Sequence, residues 1–276
     1  MKIGLIGAQN SHSRDFCETI NKKKMFENAV ISYIYGGDDD AARKKLCEDY
    51  GLAECASEEE VIEKSDAVIV TYRKGSVHYS PVINTLKAGK PVFNDKPFTT
   101  DLQEAREIIA LAKKQNLLIT GGSSLKSLPE LDAIKESITP GSTTVISYAA
   151  DPASEYDGYW FYGIHVAEIC LTLCGTDFTS VQSFDNNGVV TAIIGYPDKT
   201  CILVTAPDSR ELTVSVSNAG GIKSRIVPIR YHDICSEEFI TMINTGELPR
   251  DYDYYVKSVE LMSKICEMQA LNKAAK

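Results

Sequence analysis

The stretch Lys2-Ile3-Gly4-Leu5-Ile6-Gly7-Ala8-Gln9-Asn10-Ser11-His12 decides the fold. A short apolar run ends at a glycine and passes into polar residues that open a helical pattern over 14–24, which reads as strand, tight turn and helix start. Outward from it the alternation repeats. A strand pattern at 30–35 precedes a helix at 39–50, 67–72 precedes 81–88, 91–94 precedes 100–115, and 117–120 closes the series. Such alternation predicts a parallel sheet covered on both faces. Capping agrees, because Asp38, Asp39 and Asp40 stand before the second helix, and Thr100 and Asp101 open one that ends in Lys113 and Lys114. Both patterns match the helix dipole.

Beyond Gly121 and Gly122 the pattern changes. One helix at 128–137 leads to strand-like segments at 145–149, 181–184, 189–196, 201–206, 212–217 and 225–229. The connections Asp185-Asn186-Asn187-Gly188, Pro197-Asp198, Pro207-Asp208 and Asn218-Ala219-Gly220-Gly221 carry turn chemistry, so an antiparallel meander is expected. Helices at 163–174, 237–244 and 254–271 would cover one face, leaving Val189, Ala192, Ile194, Ile202 and Val204 on strands that need a second cover. The expected class is α/β: a Rossmann-type doubly wound parallel sheet over 1–122, then an α+β domain over 123–276 with a mostly antiparallel open sheet. The second domain is expected to bind substrate and to form a homo-oligomer through that sheet.

The chain's 276 residues are 43% hydrophobic and 24% charged, enough to build real cores. A net charge of −9, with no basic run longer than Lys22-Lys23-Lys24, argues against nucleic acid as a partner. The cysteines at 17, 47, 55, 170, 174, 201, 235 and 266 read as reduced core thiols, and no segment resembles a leader or a membrane span. A cytoplasmic location with no membrane partner is expected.

A dinucleotide-binding turn would carry glycines at 7, 9 and 12. Gly7 can make the tight turn, but Gln9 puts a side chain where backbone should approach a pyrophosphate, and His12 is bulky where helix packs on strand. Asn10, Ser11 and Ser13 still begin a helix whose backbone N–H groups could receive a phosphate, with Arg14 in reach; an N-cap and a surface arginine explain the same residues. Asp38 is the candidate carboxylate for ribose hydroxyls, and equally a helix cap.

Three further segments together resemble the Gfo/Idh/MocA family of nicotinamide-dependent sugar and cyclitol oxidoreductases. Asp66-Ala67-Val68-Ile69-Val70-Thr71, followed by His78, is similar to that family's third strand and loop, with Tyr72 where a proline is usual. Ala88-Gly89-Lys90-Pro91-Val92-Phe93-Asn94-Asp95-Lys96-Pro97 resembles its Gly-Lys-x-Val-x-x-Glu-Lys-Pro segment, with Asp95 for the glutamate. Gly163-Ile164-His165-Val166-Ala167-Glu168 resembles the helix start Asp-x-Gly-x-His-x-x-Asp, with Phe161 for the leading aspartate. The resemblance implies NAD or NADP as cofactor, with NAD favoured by acidic Asp38, and Thr71, His78 and Asp95 beside it. It also implies a small-molecule substrate.

Hydride transfer from a secondary alcohol needs a base for the hydroxyl proton and a donor to hold the oxygen. Lys96 can do either, at a strand's carboxyl end where open α/β sheets place ligands. The resemblance makes His165 the other proton carrier, with the two roles interchangeable. His165, Glu168 and Thr172 share a helix face. Trp160, Phe161 and Tyr162, with Tyr156 and Tyr159, could stack on a sugar or serve as interface core. The expected activity is dehydrogenase or reductase. A sensor without turnover on the same fold, or a nicotinamide-assisted lyase or hydrolase, is the alternative. No metal is expected, since Cys170 and Cys174 have helical spacing toward the apolar side and no second pair follows.

Overall fold

A computed structural model describes residues 1–229 and 233–274; His232 lies outside them. The opening stretch forms β1 (Lys2–Ile6), the centre of a parallel sheet completed by β2 (Val30–Tyr35), β3 (Ala53–Glu54), β4 (Ala67–Val70), β5 (Val92–Asn94) and β6 (Ile119–Gly121). Their order, β3-β2-β1-β4-β5-β6, reverses direction between β1 and β4, and every pairing is parallel. All four residues of β4 are buried, as expected for a strand covered on both faces.

The helices of this unit are α1 (Ser11–Cys17), α2 (Asp40–Tyr50), α3 (Glu58–Lys64), α4 (Tyr79–Lys87) and α5 (Leu102–Gln115). The first is shorter than the sequence suggests, because a π turn over Glu18–Lys22 takes over. Both α3 and β3 escape the periodicity reading. α3 offers only Val61 and Ile62 as buried residues, too few for a helical stripe, but Ser57 accepts a hydrogen bond from the Glu60 N–H at its start.

Chain contacts group residues 1–124 with 231–256 as one unit, and 125–230 with 257–276 as another. Helix α8 (Ile234–Thr245) therefore differs from expectation. Instead of covering the second sheet, it buries Phe239, Ile240 and Met242 in the first unit's core, with Phe239 edge-on to Phe93 at 5.9 Å between ring centroids. Its amphipathic face states that it must be covered, not by which sheet.

The second unit carries β7 (Thr143–Ala149), β8 (Ser180–Asn186), β9 (Val189–Gly195), β10 (Thr200–Ala206), β11 (Leu212–Asn218) and β12 (Gly221–Val227), in the order β12-β11-β7-β10-β9-β8. The sheet is mostly antiparallel but is not a meander. The chain at 207–211 passes from β10 to β11 around β7, which fits between them parallel to β10. Helices α6 (Glu130–Lys135), α7 (Trp160–Cys174) and most of α9 (Tyr252–Ala274) belong here, and α7 lies on β7 and β10. Every residue of α7 from Gly163 to Cys174 is buried. Period-2 alternation puts Ala192 and Ile194 on the helix-covered face, so they leave the expected open patch; Val189, Ile202 and Val204 are at least partly exposed. Among the described residues, no helix is long and apolar enough to cross a membrane.

Candidate active site

In the first unit, the site grows from the turn after β1. Gly7 has φ of +100°, and a Cβ there would stand 2.7 Å from the Tyr72 backbone nitrogen, so only glycine lets β1 pass this close to the end of β4. Hydroxyls hold the turn: Ser13 and Thr71 both donate to the Gly7 carbonyl at 3.2 Å. Asp38 then folds onto the loop. Its carboxylate accepts from the Ala8 N–H at 2.8 Å and the Gln9 N–H at 3.1 Å, while Asp39 is the residue that caps α2. The open choice for Asp38 between ribose ligand and cap thus has a third answer, an anion held on the loop's backbone donors.

At the carboxyl end of β5, Asp95 is fully buried and collects partners from the same loop. Asn10 Nδ2 donates to it at 2.7 Å, and the His12 ring meets it through Nδ1 at 2.9 Å. His12, standing where a third glycine belongs, swings its bulk away from the turn and onto this carboxylate. Burial alone would raise the Asp95 carboxyl, yet His12 and the Lys96 charge outweigh it and hold it below its ordinary range. Lys96 follows, 3% exposed. Burial, with the Arg73 charge adding to it and Asp95 opposing, pushes its ammonium down to about 8. A cis peptide joins Lys96 to Pro97, and a Cβ on Gly75 would meet the Pro97 ring at 2.2 Å. His78 is fully buried, and its Nε2 donates to the Tyr72 carbonyl at 2.8 Å. Burial pushes its pKa down, so it stays neutral and braces the β4 loop.

In the second unit, α7 carries His165 and Glu168, both buried. The Glu168 carboxylate takes the Lys126 ammonium at 3.5 Å, a pair whose side chains are 0% and 2% exposed. Rings pack around His165, with Tyr162 at 5.2 Å and Tyr148 at 6.0 Å between centroids, both edge-on. Beside them opens a cleft of about 660 Å³ lined by Tyr148, Tyr156, Phe161 and Tyr162, with Arg210 and Asp151 at its polar side. Tyr159 sits in the core under a hydrogen bond from Thr205 at 3.2 Å, and Trp160 does not line the cleft.

The structure therefore brings Gly7, Asn10, His12, Thr71, Asp95 and Lys96 together at the carboxyl ends of β1, β4 and β5, with Gln9 on the loop after β1 and Asp38 reaching it from the loop after β2. Ser11 is the exposed first residue of α1. Arg73, Lys126 and Arg210 were invisible as site residues in the sequence, since each stands in a short unpatterned connection, Arg73 beside Lys74. Tyr148 had a usable signal, the period-2 alternation that aims it inward with Ile146.

The strand order and its reversal beside Gly7 define a Rossmann domain with its ligand crevice at the switch point. The residues present suit a dinucleotide in two ways: Gly7 makes the tight turn after β1 at a φ that favours glycine, and the Asp38 carboxylate, just past the end of β2, stands beside that loop. Residues 1–123 match the model of the Gfo/Idh/MocA group, described as an oxidoreductase family with NAD-binding Rossmann fold. Over 113 residues, 40% of this chain, it is 33% identical to an inositol 2-dehydrogenase of Cereibacter sphaeroides. The matches span about a third of the first curated relatives, 31% and 32% of their lengths. Among solved structures, GenD2 from gentamicin A biosynthesis in complex with NAD superposes with a TM-score of 0.82 at 12% identity, covering 98% of this chain and 94% of that one. Biliverdin reductase from Synechocystis, in complex with biliverdin and NADP+, gives 0.77 at 14% identity, covering 98% and 99%. The whole fold, both units included, is thus shared with dehydrogenases and reductases.

Proposed function

We propose that the chain is a nicotinamide-dependent oxidoreductase that moves hydride between NAD or NADP and a sugar, cyclitol or related hydroxy compound. The observation that carries this reading is Lys96, a buried amine tuned to about 8 at the crevice end of a Rossmann sheet. With that value roughly a tenth of Lys96 is neutral at pH 7, enough to accept a hydroxyl proton while the charged form steadies an oxyanion. The Gly7 turn, Asp38 and the backbone of Asn10 and Ser11 at the start of α1 would hold the cofactor, which supplies hydride transfer when bound. His165 is the second proton carrier, kept in place by the Tyr148 and Tyr162 rings, with Lys126 steadying Glu168. Tyr156, Phe161 and Tyr162 would receive the flat face of the substrate. The inositol dehydrogenase relative and the aromatic cleft support a polyhydroxylated ring as substrate class; Asp38 favours NAD.

Calorimetry with NAD, NADH, NADP and NADPH tests the premise, and binding of none of them ends the redox reading. A double-mutant cycle on kcat/KM with Lys96→Met and His165→Ala tests whether both groups act on one substrate; full additivity would exclude it. Asp38 on the loop donors, with Gln9 and His12 in glycine positions, favours a second reading, a ligand sensor without turnover. Cofactor binding with no product from a broad polyol panel would select it. A homo-oligomer formed through the outer face of the second sheet completes the proposal, and light scattering after size exclusion decides it.

A further inference from the structure

Three thiols that the hydride-transfer reading does not use meet inside the second unit. Cys170 and Cys174 stand one turn apart on α7, and β10 brings Cys201 against them; all three are buried, with sulfurs within 4.8 Å of one another. The sequence gives no hint of this, because the third sulfur is far along the chain and arrives on a strand. A fourth donor is close. Tyr196 Oη lies 3.4 Å from Cys170 Sγ and donates its proton to the Gly175 carbonyl at 3.0 Å, which leaves its oxygen free to accept on the Cys170 side.

Charge and geometry both favour one kind of guest. Zinc–sulfur bonds of about 2.3 Å set tetrahedral sulfurs roughly 3.8 Å apart, so the widest pair needs to close by only about 1 Å, within reach of side-chain rotation. Ligation dominated by three sulfurs selects thiophilic ions over calcium, magnesium or manganese. The Lys199 ammonium, 5.6 Å from the Tyr196 ring centre, offsets the charge that would result. We infer that Cys170, Cys174 and Cys201 form a binding site for a thiophilic divalent ion of the zinc type, with the Tyr196 hydroxyl facing its fourth position. Binding breaks three S–H bonds, forms three metal–sulfur bonds and releases three protons, leaving a complex of charge −1. The ion is a structural clasp. It fastens the last turn of α7, the helix that carries His165 and Glu168, to β10.

The full chain, reduced and stripped with chelator, is titrated with Co(II) and then with Zn(II). One equivalent of cobalt with sulfur-to-cobalt charge-transfer absorption, bleached by zinc, is the expected result. X-ray absorption of the zinc-loaded, unmutated chain should show three sulfur neighbours at about 2.3 Å. Cys174→Ser should weaken cobalt binding more than about a hundredfold, beyond the loss for outer-shell partners, while Cys47→Ser leaves it unchanged. A zinc shell of nitrogen and oxygen, no charge-transfer band, or an affinity unmoved by Cys174→Ser in a chain with native circular dichroism would overturn the proposal. The absorption measurement needs no variant, so a misfolded mutant does not blunt the test.

Discussion

Replacing Lys96 by methionine keeps the stem and removes the ammonium, which isolates what the buried charge costs. In the folded chain the group falls from its ordinary 10.5 to about 8, mainly through burial. At about 1.4 kcal/mol per pH unit, that difference amounts to about 3 kcal/mol. Because the folded value lies below the unfolded one, the cost is fully present below pH 8. It disappears as pH climbs from 8 through 10.5, where the folded chain sheds its proton first. Urea unfolding of wild type and Lys96→Met, followed by circular dichroism at half-unit steps from pH 7 to 10.5, should therefore show wild type gaining about 3 kcal/mol relative to the variant. Subtracting the variant removes the tyrosines and other lysines that also titrate there. A difference that stays flat across this range would mean that Lys96 keeps an ordinary ammonium, and the case for it as a proton acceptor near neutrality would go with it. The same value sets the direction of the rate: alcohol oxidation should rise about tenfold per pH unit below 8 and level off above it.

Lys126→Met removes the ammonium 3.5 Å from buried Glu168 and should cost about 3–5 kcal/mol, whereas Lys126→Met combined with Glu168→Leu should recover at least half, as read by urea midpoints. Gly121→Ala would drive a Cβ to 1.7 Å from the Asn94 carbonyl oxygen at φ of +144°, and should exceed about 4 kcal/mol or fail to give soluble protein. Gly141→Ala, at φ of +82° with open space around it, should cost only about 1–2 kcal/mol in the same assay. His12→Ala should destabilise the chain by about 2 kcal/mol at pH 7. Asp95, held below its ordinary range, adds stability above about pH 4 that is lost on further acidification, so this variant should show a smaller acid-induced step by circular dichroism.

The first unit was legible because its signals are local. The run from Lys2 to Gly7, the aspartates before α2 and Asp101 before α5 each declare an element from within a few residues, and the segment ending in Asp95-Lys96-Pro97 puts the key amine at a strand's end. What stayed hidden depends on partners distant in sequence. Alternation shows that Ile202 and Leu203 face opposite ways but not that β10 lies parallel to β7. Phe239 and Met242 announce a buried face without saying which core receives it. Lys126 reads as an ordinary loop lysine until Glu168 is seen across from it, and Cys201 as a strand thiol until α7 is laid over β10. The missed α3 is a different case, since Ser57 and Glu60 at capping distance were available evidence that hydrophobic periodicity outvoted.

The loop after β1 carries its own incumbent. Asp38 already occupies the Ala8 and Gln9 donors, so any guest that needs those two N–H groups has to evict a tethered rival present at high effective concentration. Measured affinity at this turn is then the intrinsic affinity multiplied by the fraction of molecules in which Asp38 has let go. Removing the rival with Asp38→Ala would sharpen capture of an anionic guest while discarding whatever ribose selectivity the carboxylate provides, a trade between tightness and discrimination built into a single side chain.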